Sequence, residues 1–193
     1  MRSNRFLLGI LLGLALGIVA GVAVYQAGLG QACPSRICTG SAELTPITDR
    51  GYFEPAQKII SGAKKSVHVV AYELKYYKNY QPSLENRLIR ELIYAKERGV
   101  DVKVFADDAS MGDAHLLLRE KGIEVRLDSN ETVTHAKVII VDGRMVLLGS
   151  TNLSYSGLEK NNEADILVED VRVAEYFESY FQGLWGSGRP IRP

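Results

Sequence analysis

The chain lacks a surplus of charge of either sign, and it lacks any internal repeat. Lysine plus arginine and aspartate plus glutamate both number 23 among its 193 residues. The sequence therefore shows neither the global basic footprint of a dedicated nucleic-acid binder nor an acidic bias, and attraction to polyanions must be local to a site. Histidine is also scarce: there are three, and His135 is the one that begins an H-x-K sequence.

Cysteine occurs twice, as Cys33 and Cys38. Outside the cytoplasm this pair can oxidise, either to a local disulfide, whose short loop brings little entropic gain, or to an interchain disulfide that joins two chains. Free thiols are the other alternative. Zinc held by cysteines from two chains has no nearby histidine to support it.

One apolar segment near the N-terminus is long enough to cross a bilayer. Phe6 to Tyr25 carries no charge over 20 residues, which corresponds to ~30 Å of helix. It predicts a single-pass transmembrane anchor; the alternative is a signal sequence removed on secretion. Arg2 and Arg5 precede the segment and the next basic residue is Arg36, so the positive-inside rule places the N-terminus in the cytoplasm and the remainder outside.

Composition divides the chain into three parts. Residues 1–25 contain the predicted anchor or signal sequence. Residues 26–47 are glycine-rich and then punctuated by Ser, Thr and Pro, which predicts a linker. Residues 48–193 are numerous enough for one domain with its own core.

Helical and strand patterns alternate through this domain. The predicted helices are 53–63, 82–98, 114–121 and 171–185, and the predicted strands are 66–74, 101–106, 123–127, 135–141, 145–148 and 164–169. Repeated βα units with one hairpin predict an α/β sandwich, with a sheet in the middle and helices on both faces.

The most informative segment reads H-x-K-x4-D-x6-G-S-x-N and comprises His135, Lys137, Asp142, Gly149, Ser150 and Asn152. A phosphodiester carries negative charge, which fixed cations and donors must neutralise before a nucleophile can approach phosphorus. Lys137, Ser150 and Asn152 offer an ammonium, a hydroxyl and an amide for binding phosphate. His135 can serve as nucleophile in one step and as proton donor or acceptor in another. The pattern indicates phosphoryl transfer without a metal ion or other cofactor.

These residues and their spacing resemble the signature of the phospholipase D superfamily, over about residues 47–186. The resemblance implies a phospholipase D-like α-β-α sandwich with a central mixed sheet, one motif copy per chain, here preceded by a transmembrane helix. Full-length members carry two copies that meet across a pseudo-twofold axis, whereas the short nucleases of the superfamily carry one. The resemblance therefore implies a homodimer in which two chains share one active site.

The expected chemistry is covalent. His135 of one subunit attacks phosphorus, His135 of the partner subunit protonates the leaving oxygen, and water then reverses the exchange. A nucleophilic imidazole needs an acceptor on its other nitrogen. Glu163 is the candidate, because the short nucleases carry an acidic residue at this place; the alternative is a strand-edge carboxylate.

The remaining candidates surround this motif. Asp142 lies in the turn after a strand, and we interpret it as structural, together with Gly149. Tyr72, Lys75 and Tyr76 leave the first strand and are candidates for the substrate rim, suited to stacking unpaired bases, to a membrane interface or to a choline headgroup. A surface loop of no special function is the alternative.

Asp107 and Asp108 end a strand where α/β sheets often place sites. Paired aspartates at the start of a loop are more often helix caps, and we interpret them so.

Three functions remain open. The leading hypothesis is a membrane-anchored, metal-independent phosphodiesterase that acts as a nonspecific endonuclease. The first alternative applies the same chemistry to phospholipid headgroups of phosphatidylcholine or cardiolipin, because a fold alone does not choose a substrate. The second is a non-catalytic phosphate-binding protein.

Overall fold

An eight-stranded mixed sheet forms the centre of the computed structural model, which describes residues 37, 40, 42–129 and 131–191. Its strands are β1 (Glu43–Thr48), β2 (Ser66–Ala71), β3 (Asp101–Ala106), β4 (Glu124–Leu127), β5 (Val138–Val141), β6 (Met145–Gly149), β7 (Ala164–Glu169) and β8 (Arg189–Pro190). Their order across the sheet is β1-β7-β6-β5-β2-β3-β4-β8. Strands β2, β3 and β4 run parallel, and every other neighbouring pair is antiparallel.

Helices cover both faces of this sheet, as the sequence predicts. They are α1 (Phe53–Gly62), α2 (Leu84–Glu97), α3 (Asp113–Glu120) and α4 (Val171–Ser187). One core packs the first three helices against the sheet and includes Ile60 and Leu92. A second core packs α4 on the sheet through Phe181 and Trp185.

Strand β5 divides its side chains between the two cores. Ile139 and Val141 belong to the core under α1–α3, whereas Val138 and Ile140 belong to the core under α4. Successive side chains of a strand point to opposite faces, so a continuous run of Val and Ile is what a strand covered on both sides needs. The motif is thus attached to the middle of the sheet.

The predicted linker over residues 26–47 is wrong at its C-terminal end, because Glu43–Thr48 forms β1. This strand pairs antiparallel with β7 in the register Thr48↔Ala164. Ile47 is the one buried residue of β1, so the sequence of this strand shows no alternation of apolar residues. The strand is held mainly by its main-chain pairing with β7. Pro46 is tolerated because β1 is an edge strand.

Several element boundaries differ from the sequence expectation. Strand β2 ends at Ala71, and Leu74 forms an isolated parallel bridge with Leu153. Helix α2 begins at Leu84, because the Ser83 side chain caps it by accepting from the Asn86 backbone amide at 3.4 Å. Strand β5 begins at Val138, so the histidine and lysine of the motif precede the strand.

The predicted anchor within residues 1–25, and both Cys33 and Cys38, lie outside the residues that the structure describes. Within residues 37, 40, 42–129 and 131–191, no helix combines the length and apolar character needed to cross a membrane.

Asp142 fastens the β5–β6 hairpin to the start of β2. Its carboxylate accepts from the backbone amides of Lys64, Lys65 and Ser66 at 2.7–3.1 Å. Asp142 and Gly143 both have positive φ, +56° and +63°, a conformation that Asp and Gly tolerate in tight turns. Burial alone would raise the pKa of Asp142, but the three backbone amides and the Lys65 charge together lower it.

We expect Asp142→Asn to lower the free energy of unfolding by about 1–3 kcal/mol at pH 7, because charged acceptors make strong hydrogen bonds. A lowered pKa means that the ionised carboxylate stabilises the fold above the unfolded pKa and that this contribution is lost as pH falls through the folded pKa. The gap between wild type and variant should therefore shrink between about pH 5 and pH 2. Urea unfolding over this range measures it.

Glu124→Gln is the matched control, since it removes a carboxylate that is exposed on β4. It should leave the unfolding free energy within about 0.5 kcal/mol of wild type. A folded Asp142→Asn protein of unchanged stability but abolished activity would contradict the structural role.

Candidate active site

Three antiparallel pairings bring the motif residues to one edge of the sheet. Val70 pairs with Val138, Val138 with Leu148, and Leu148 with Ile166. Extending these registers past the strand ends places Tyr72 beside the residues before β5, and places Ser150 opposite Ala164, the first residue of β7. Backbone contacts follow this geometry: the Gly149 amide donates to the Lys137 carbonyl oxygen at 3.3 Å, and the Ser150 amide to the Ala164 carbonyl oxygen at 3.2 Å.

His135 and Lys137 form the centre of the site. The Lys137 ammonium donates to the His135 carbonyl oxygen at 2.7 Å and lies 3.1 Å from Nδ1 and 3.4 Å from Nε2 of the same imidazole. The Tyr72 ring lies 4.4 Å from the His135 ring and 5.0 Å from the Lys137 ammonium, measured to the ring centroid. His135 is exposed, whereas Lys137 is 9% exposed. A fixed cation thus lies beside an accessible imidazole.

Burial lowers the pKa of Lys137, and the carboxylates of Glu163 and Glu73 offset part of this shift. A desolvated ammonium interacts more strongly with an anion than a solvated one does. The partly desolvated ammonium of Lys137 is therefore suited to bind a negatively charged phosphate oxygen.

Glu163 lies in the site but holds a different partner from the one predicted. Its carboxylate accepts from the Ser150 hydroxyl in a very short hydrogen bond and from Asn161 Nδ2 at 2.9 Å. Among the described residues no hydrogen bond joins Glu163 to His135. Within the described part of this chain, Glu163 thus contacts Ser150 and Asn161 rather than the imidazole, and its orienting role stays a prediction.

The turn after β6 is fixed by a buried carboxylate that sequence reasoning missed. Asp165 accepts from the Thr151 amide at 3.1 Å and from the Thr151 hydroxyl at 2.6 Å. A Cβ at Gly149 would overlap the Asp165 carboxylate and lie 2.5 Å from the Ala164 carbonyl oxygen, which explains why glycine stands there. Oδ1 of the motif residue Asn152 is buried and has no hydrogen-bond partner among the described residues.

A pair of buried carboxylates holds the chain immediately before His135. The Thr134 amide donates to Asp107 Oδ2 at 3.0 Å and to Asp128 Oδ2 at 2.8 Å. Asp107 also accepts from Ala109 N, so its predicted capping role is present, but the contact with Thr134 was not predicted. The available signal was positional: both aspartates follow the ends of the paired parallel strands β3 and β4.

The predicted rim residues have different environments. Tyr72 contacts the catalytic candidates directly, as described above. Lys75 forms a salt bridge with Glu73 at 3.1 Å, and its backbone amide donates to the Leu153 carbonyl oxygen at 2.9 Å. Tyr76 is partly buried, and its hydroxyl donates to Gln81 at 3.2 Å. Lys75 and Tyr76 therefore border the site without touching His135.

The two other histidines are structural. His68 Nδ1 lies 2.8 Å from Glu178, and its ring stacks on Phe181 at 4.5 Å beneath α4. His115 is fully buried in α3, where burial lowers its pKa to about 4. Within the described ranges no group of three or more His, Cys, Asp or Glu side chains is placed to hold a metal ion.

Comparison with known proteins gives a family match. Residues 57–185 match the domain family described as "Cardiolipin synthase, PLD-like domain". The chain is 31% identical over 126 residues to a protein named "Phospholipase D" from Rickettsia prowazekii, covering 63% of this chain and 57% of that protein. It is 28% identical over 143 residues to "Mitochondrial cardiolipin hydrolase" from Xenopus laevis, covering 72% of this chain and 63% of that protein. The matches thus span less than two thirds of these relatives.

Solved structures show the same fold. The phospholipase D family member Nuc from Salmonella typhimurium is 29% identical, with a TM-score of 0.69 that covers 79% of this chain and all of Nuc. NucT from Helicobacter pylori is 20% identical, with a TM-score of 0.65 over 78% of this chain and all of NucT, and this likeness concerns the fold alone.

Gly149→Ala should destabilise the protein by about 1–3 kcal/mol, because the added methyl group must displace Asp165 or the β7 backbone. Since Asp165 also holds Thr151, the variant should lose activity together with stability. Thermal unfolding and turnover of a simple phosphodiester measure the two effects.

Gly183→Ala provides the control. Gly183 lies in α4, and a Cβ there would meet nothing within 4 Å. Alanine should stabilise this exposed helical position by about 0.5–1 kcal/mol. Equal stability of the two alanine variants would show that Gly149 is not sterically required.

Proposed function

This chain belongs to the phospholipase D superfamily, and we propose that it is a metal-independent phosphodiesterase that works through a phosphohistidine on His135. One observation carries the proposal: the ammonium of Lys137 lies within 3.4 Å of both ring nitrogens of an exposed imidazole. Ser150 and Asn152 follow the neighbouring strand at the same sheet edge. A nucleophile and a cation therefore lie where a phosphate can approach from solvent, and the Ser150 hydroxyl and the Asn152 amide are the donors that we expect to bind it.

In the first step an imidazole nitrogen of His135 forms a bond to phosphorus, and the bond from phosphorus to the leaving oxygen breaks. That oxygen takes a proton from His135 of the partner subunit. Lys137 binds a non-bridging oxygen and neutralises the charge that grows there, a task that elsewhere falls to a Lewis acid.

In the second step water attacks the phosphohistidine. The phosphorus–nitrogen bond breaks, and His135 of the partner subunit accepts the proton that water loses. The enzyme returns to its starting protonation state, so acid and base exchange roles between the steps.

This cycle needs two histidines, and each chain supplies one in its motif. We therefore propose that the enzyme is a homodimer, with a twofold axis that passes between the two His135 side chains. The exposure of His135 and Ser150 supports this arrangement, because in a single chain the site is open on one side.

Nucleic acid is the substrate class that we propose first, with little sequence preference. The open sheet edge suits a polymer that passes across it, and the aromatic face of Tyr72 lies beside the imidazole, where an unpaired base can stack. A nonspecific endonuclease combines these features.

Phospholipid headgroups are the second candidate, favoured by the names of the curated relatives, phospholipase D and mitochondrial cardiolipin hydrolase. Phosphatidylcholine and cardiolipin are the lipids to test. We also propose that residues 6–25 anchor the chain in a membrane with the catalytic domain on the extracytoplasmic side, or direct its secretion if they are removed. Protease accessibility of the domain in sealed cells tests this topology.

His135→Asn should lower turnover to below about a thousandth of wild type while the protein stays folded, since asparagine cannot attack phosphorus or shuttle protons. Wild-type enzyme that is mixed with a simple bis-aryl phosphodiester and quenched at alkaline pH, where the phosphorus–nitrogen bond is stable, should carry an aryl phosphoryl group on His135, detected by mass spectrometry. Unmodified, inactive wild-type protein that still binds phosphate would instead identify a non-catalytic phosphate-binding protein.

Mixed dimers test whether two chains share one active site. With about a ninefold excess of His135→Asn chains, random exchange leaves only about a tenth of wild-type chains paired with each other, so activity per wild-type chain should fall about tenfold. An excess of the Gly183→Ala protein is the control and should cause no loss. Activity that stays proportional to the wild-type chains would contradict a shared site.

Substrate class is settled by assaying the full chain in EDTA on plasmid DNA, RNA, phosphatidylcholine vesicles and cardiolipin vesicles. We expect cleavage of the nucleic acids at undiminished rate, because His135 and Lys137 replace a metal-bound nucleophile and a Lewis acid. Hydrolysis confined to the vesicles would select the lipid alternative. Loss of all activity in EDTA, with recovery on adding a divalent ion, would refute the mechanism.

A further inference from the structure

The short strand β8 lies at the same edge of the sheet as the motif, although no motif residue belongs to it. It pairs antiparallel with β4, in the register Leu127↔Arg189. Because β4 runs parallel to β2, the end of β4 and the start of β8 lie on the side where β2 meets the motif. The chain after α4 therefore returns to the candidate active site.

The backbone of this returning segment is fixed independently of the motif. The Arg126 guanidinium donates to the Trp185 carbonyl oxygen at 2.7 Å and stacks over the ring of the same tryptophan. A Cβ at Gly188 would lie 2.6 Å from the Phe105 ring, so the chain passes close to β3 just before β8 begins. Arg189 thus extends from a backbone that is anchored on the sheet.

The Arg189 side chain joins β8 to the loops that follow β3 and β4. Its Nε and Nη2 donate to the Asp128 carbonyl oxygen at 2.9 and 2.7 Å, and Nη2 also donates to Asp108 Oδ2 at 2.9 Å. Two donors of one rigid, planar guanidinium on a single carbonyl oxygen fix the position of that peptide group. Arg189 therefore holds Asp128 in place through the main chain.

Asp128 passes this constraint on to the residue before the nucleophile. It is 4% exposed, and its Oδ1 accepts from the Asp108 amide at 2.9 Å while its Oδ2 accepts from the Thr134 amide at 2.8 Å. Asp107 Oδ2 accepts from the same Thr134 amide at 3.0 Å. Hydrogen bonds to ionised acceptors are stronger than neutral ones, so the Thr134 amide is held firmly between two carboxylates.

The backbone of His135 depends on this contact because it lies in no strand. Residues 132–137 have no regular secondary structure, and β5 begins at Val138. A shift of Thr134 would therefore move the imidazole relative to a bound phosphate. Misplacing a reacting group by about 1 Å can lower a rate about a hundredfold.

We propose that Arg189, acting through Asp128 and the Thr134 amide, positions the His135 imidazole for attack on phosphorus. Arg189 and Asp128 are positioning residues, since the reacting atoms belong to His135 and the phosphodiester. The inference rests on the proposed phosphodiesterase function, to which it adds the C-terminal strand as a working part of the site.

Steady-state kinetics of the full chain on a bis-aryl phosphodiester tests this role. Arg189→Ala should lower kcat about tenfold to a hundredfold and change KM less than about threefold, because Lys137 still binds the phosphate. Arg189→Lys should recover part of the loss, since an ammonium can still donate to the Asp128 carbonyl oxygen. Guanidinium ion at millimolar concentration should raise kcat of Arg189→Ala but not of wild type.

Two further variants separate the route from the ion pair. Asp128→Asn should lower kcat as Arg189→Ala does, because an amide cannot accept through both side-chain atoms. Asp108→Asn removes the charged partner of Arg189 but keeps the Asp108 amide, and should lower kcat by no more than about threefold. If Asp128→Asn fails to fold, the Arg189 variants still answer, because the Arg189 side chain is 54% exposed.

Arg144→Ala is the matched control. Arg144 is an exposed arginine in the β5–β6 turn, at the opposite edge of the sheet, and forms an ion pair with Glu169 at 3.7 Å. Its removal should keep kcat within about twofold of wild type.

Hydrogen–deuterium exchange gives a readout that does not require activity. In Arg189→Ala the Thr134 amide should exchange at least about tenfold faster than in wild type, because the loop that holds it has lost a tether. The Val104 amide in the middle of β3 should exchange at the wild-type rate.

Four outcomes decide the matter. A folded Arg189→Ala protein with wild-type kcat would overturn the proposal, and unchanged exchange at Thr134 would do so too. A loss of activity that only follows the unfolded fraction in thermal unfolding would assign Arg189 to stability alone. A wild type that cleaves no phosphodiester would refute the proposed function, and exchange at Thr134 would still show whether Arg189 holds the chain before His135.

Discussion

The antiparallel contact between β2 and β5 is the constraint on which the site depends. β2 is the first strand of the parallel set β2-β3-β4, and β5 is the first strand of the antiparallel set on its other side. The carboxyl end of β2 therefore meets the amino end of β5, which brings Tyr72 against His135 and Lys137. A parallel β2–β5 pair would send the imidazole to the opposite edge of the sheet, about 13–20 Å away for strands of four to six residues.

On both sides of the β2–β5 contact, carboxylates hold uncharged groups in position. Asp107 and Asp128 hold the Thr134 amide, Asp165 holds Thr151, and Asp142 holds the start of β2. Each acceptor is a carboxylate, and most of the donors are backbone amides. These hydrogen bonds are therefore stronger than hydrogen bonds between neutral groups. None of these four carboxylates contacts Lys137, whose ammonium lies 3.1 Å from the His135 imidazole.

The sequence predicted the fold class and the hairpin that carries the motif, because a fixed spacing within one hairpin is local information, but His135 and Lys137 precede β5 rather than lie on it. It missed β1, since an edge strand with one buried side chain has no apolar period. It also missed the contacts of Asp128 with Thr134 and of Asp165 with Thr151, which join residues at or beyond the ends of different strands and depend on register. Glu163 lies near the motif, but its contact with Ser150 was not expected, because sequence position does not determine which donor a carboxylate reaches.

The contacts of Glu163 bear on how the site becomes active. Its carboxylate charge raises the pKa of Lys137 against the effect of burial, so it supports the protonated ammonium even without touching the imidazole. Its hydrogen bond with Ser150 fixes the hydroxyl that follows β6. A single carboxylate thus acts on two motif residues: it supports the charge of the cation beside the imidazole and fixes the hydroxyl that follows β6.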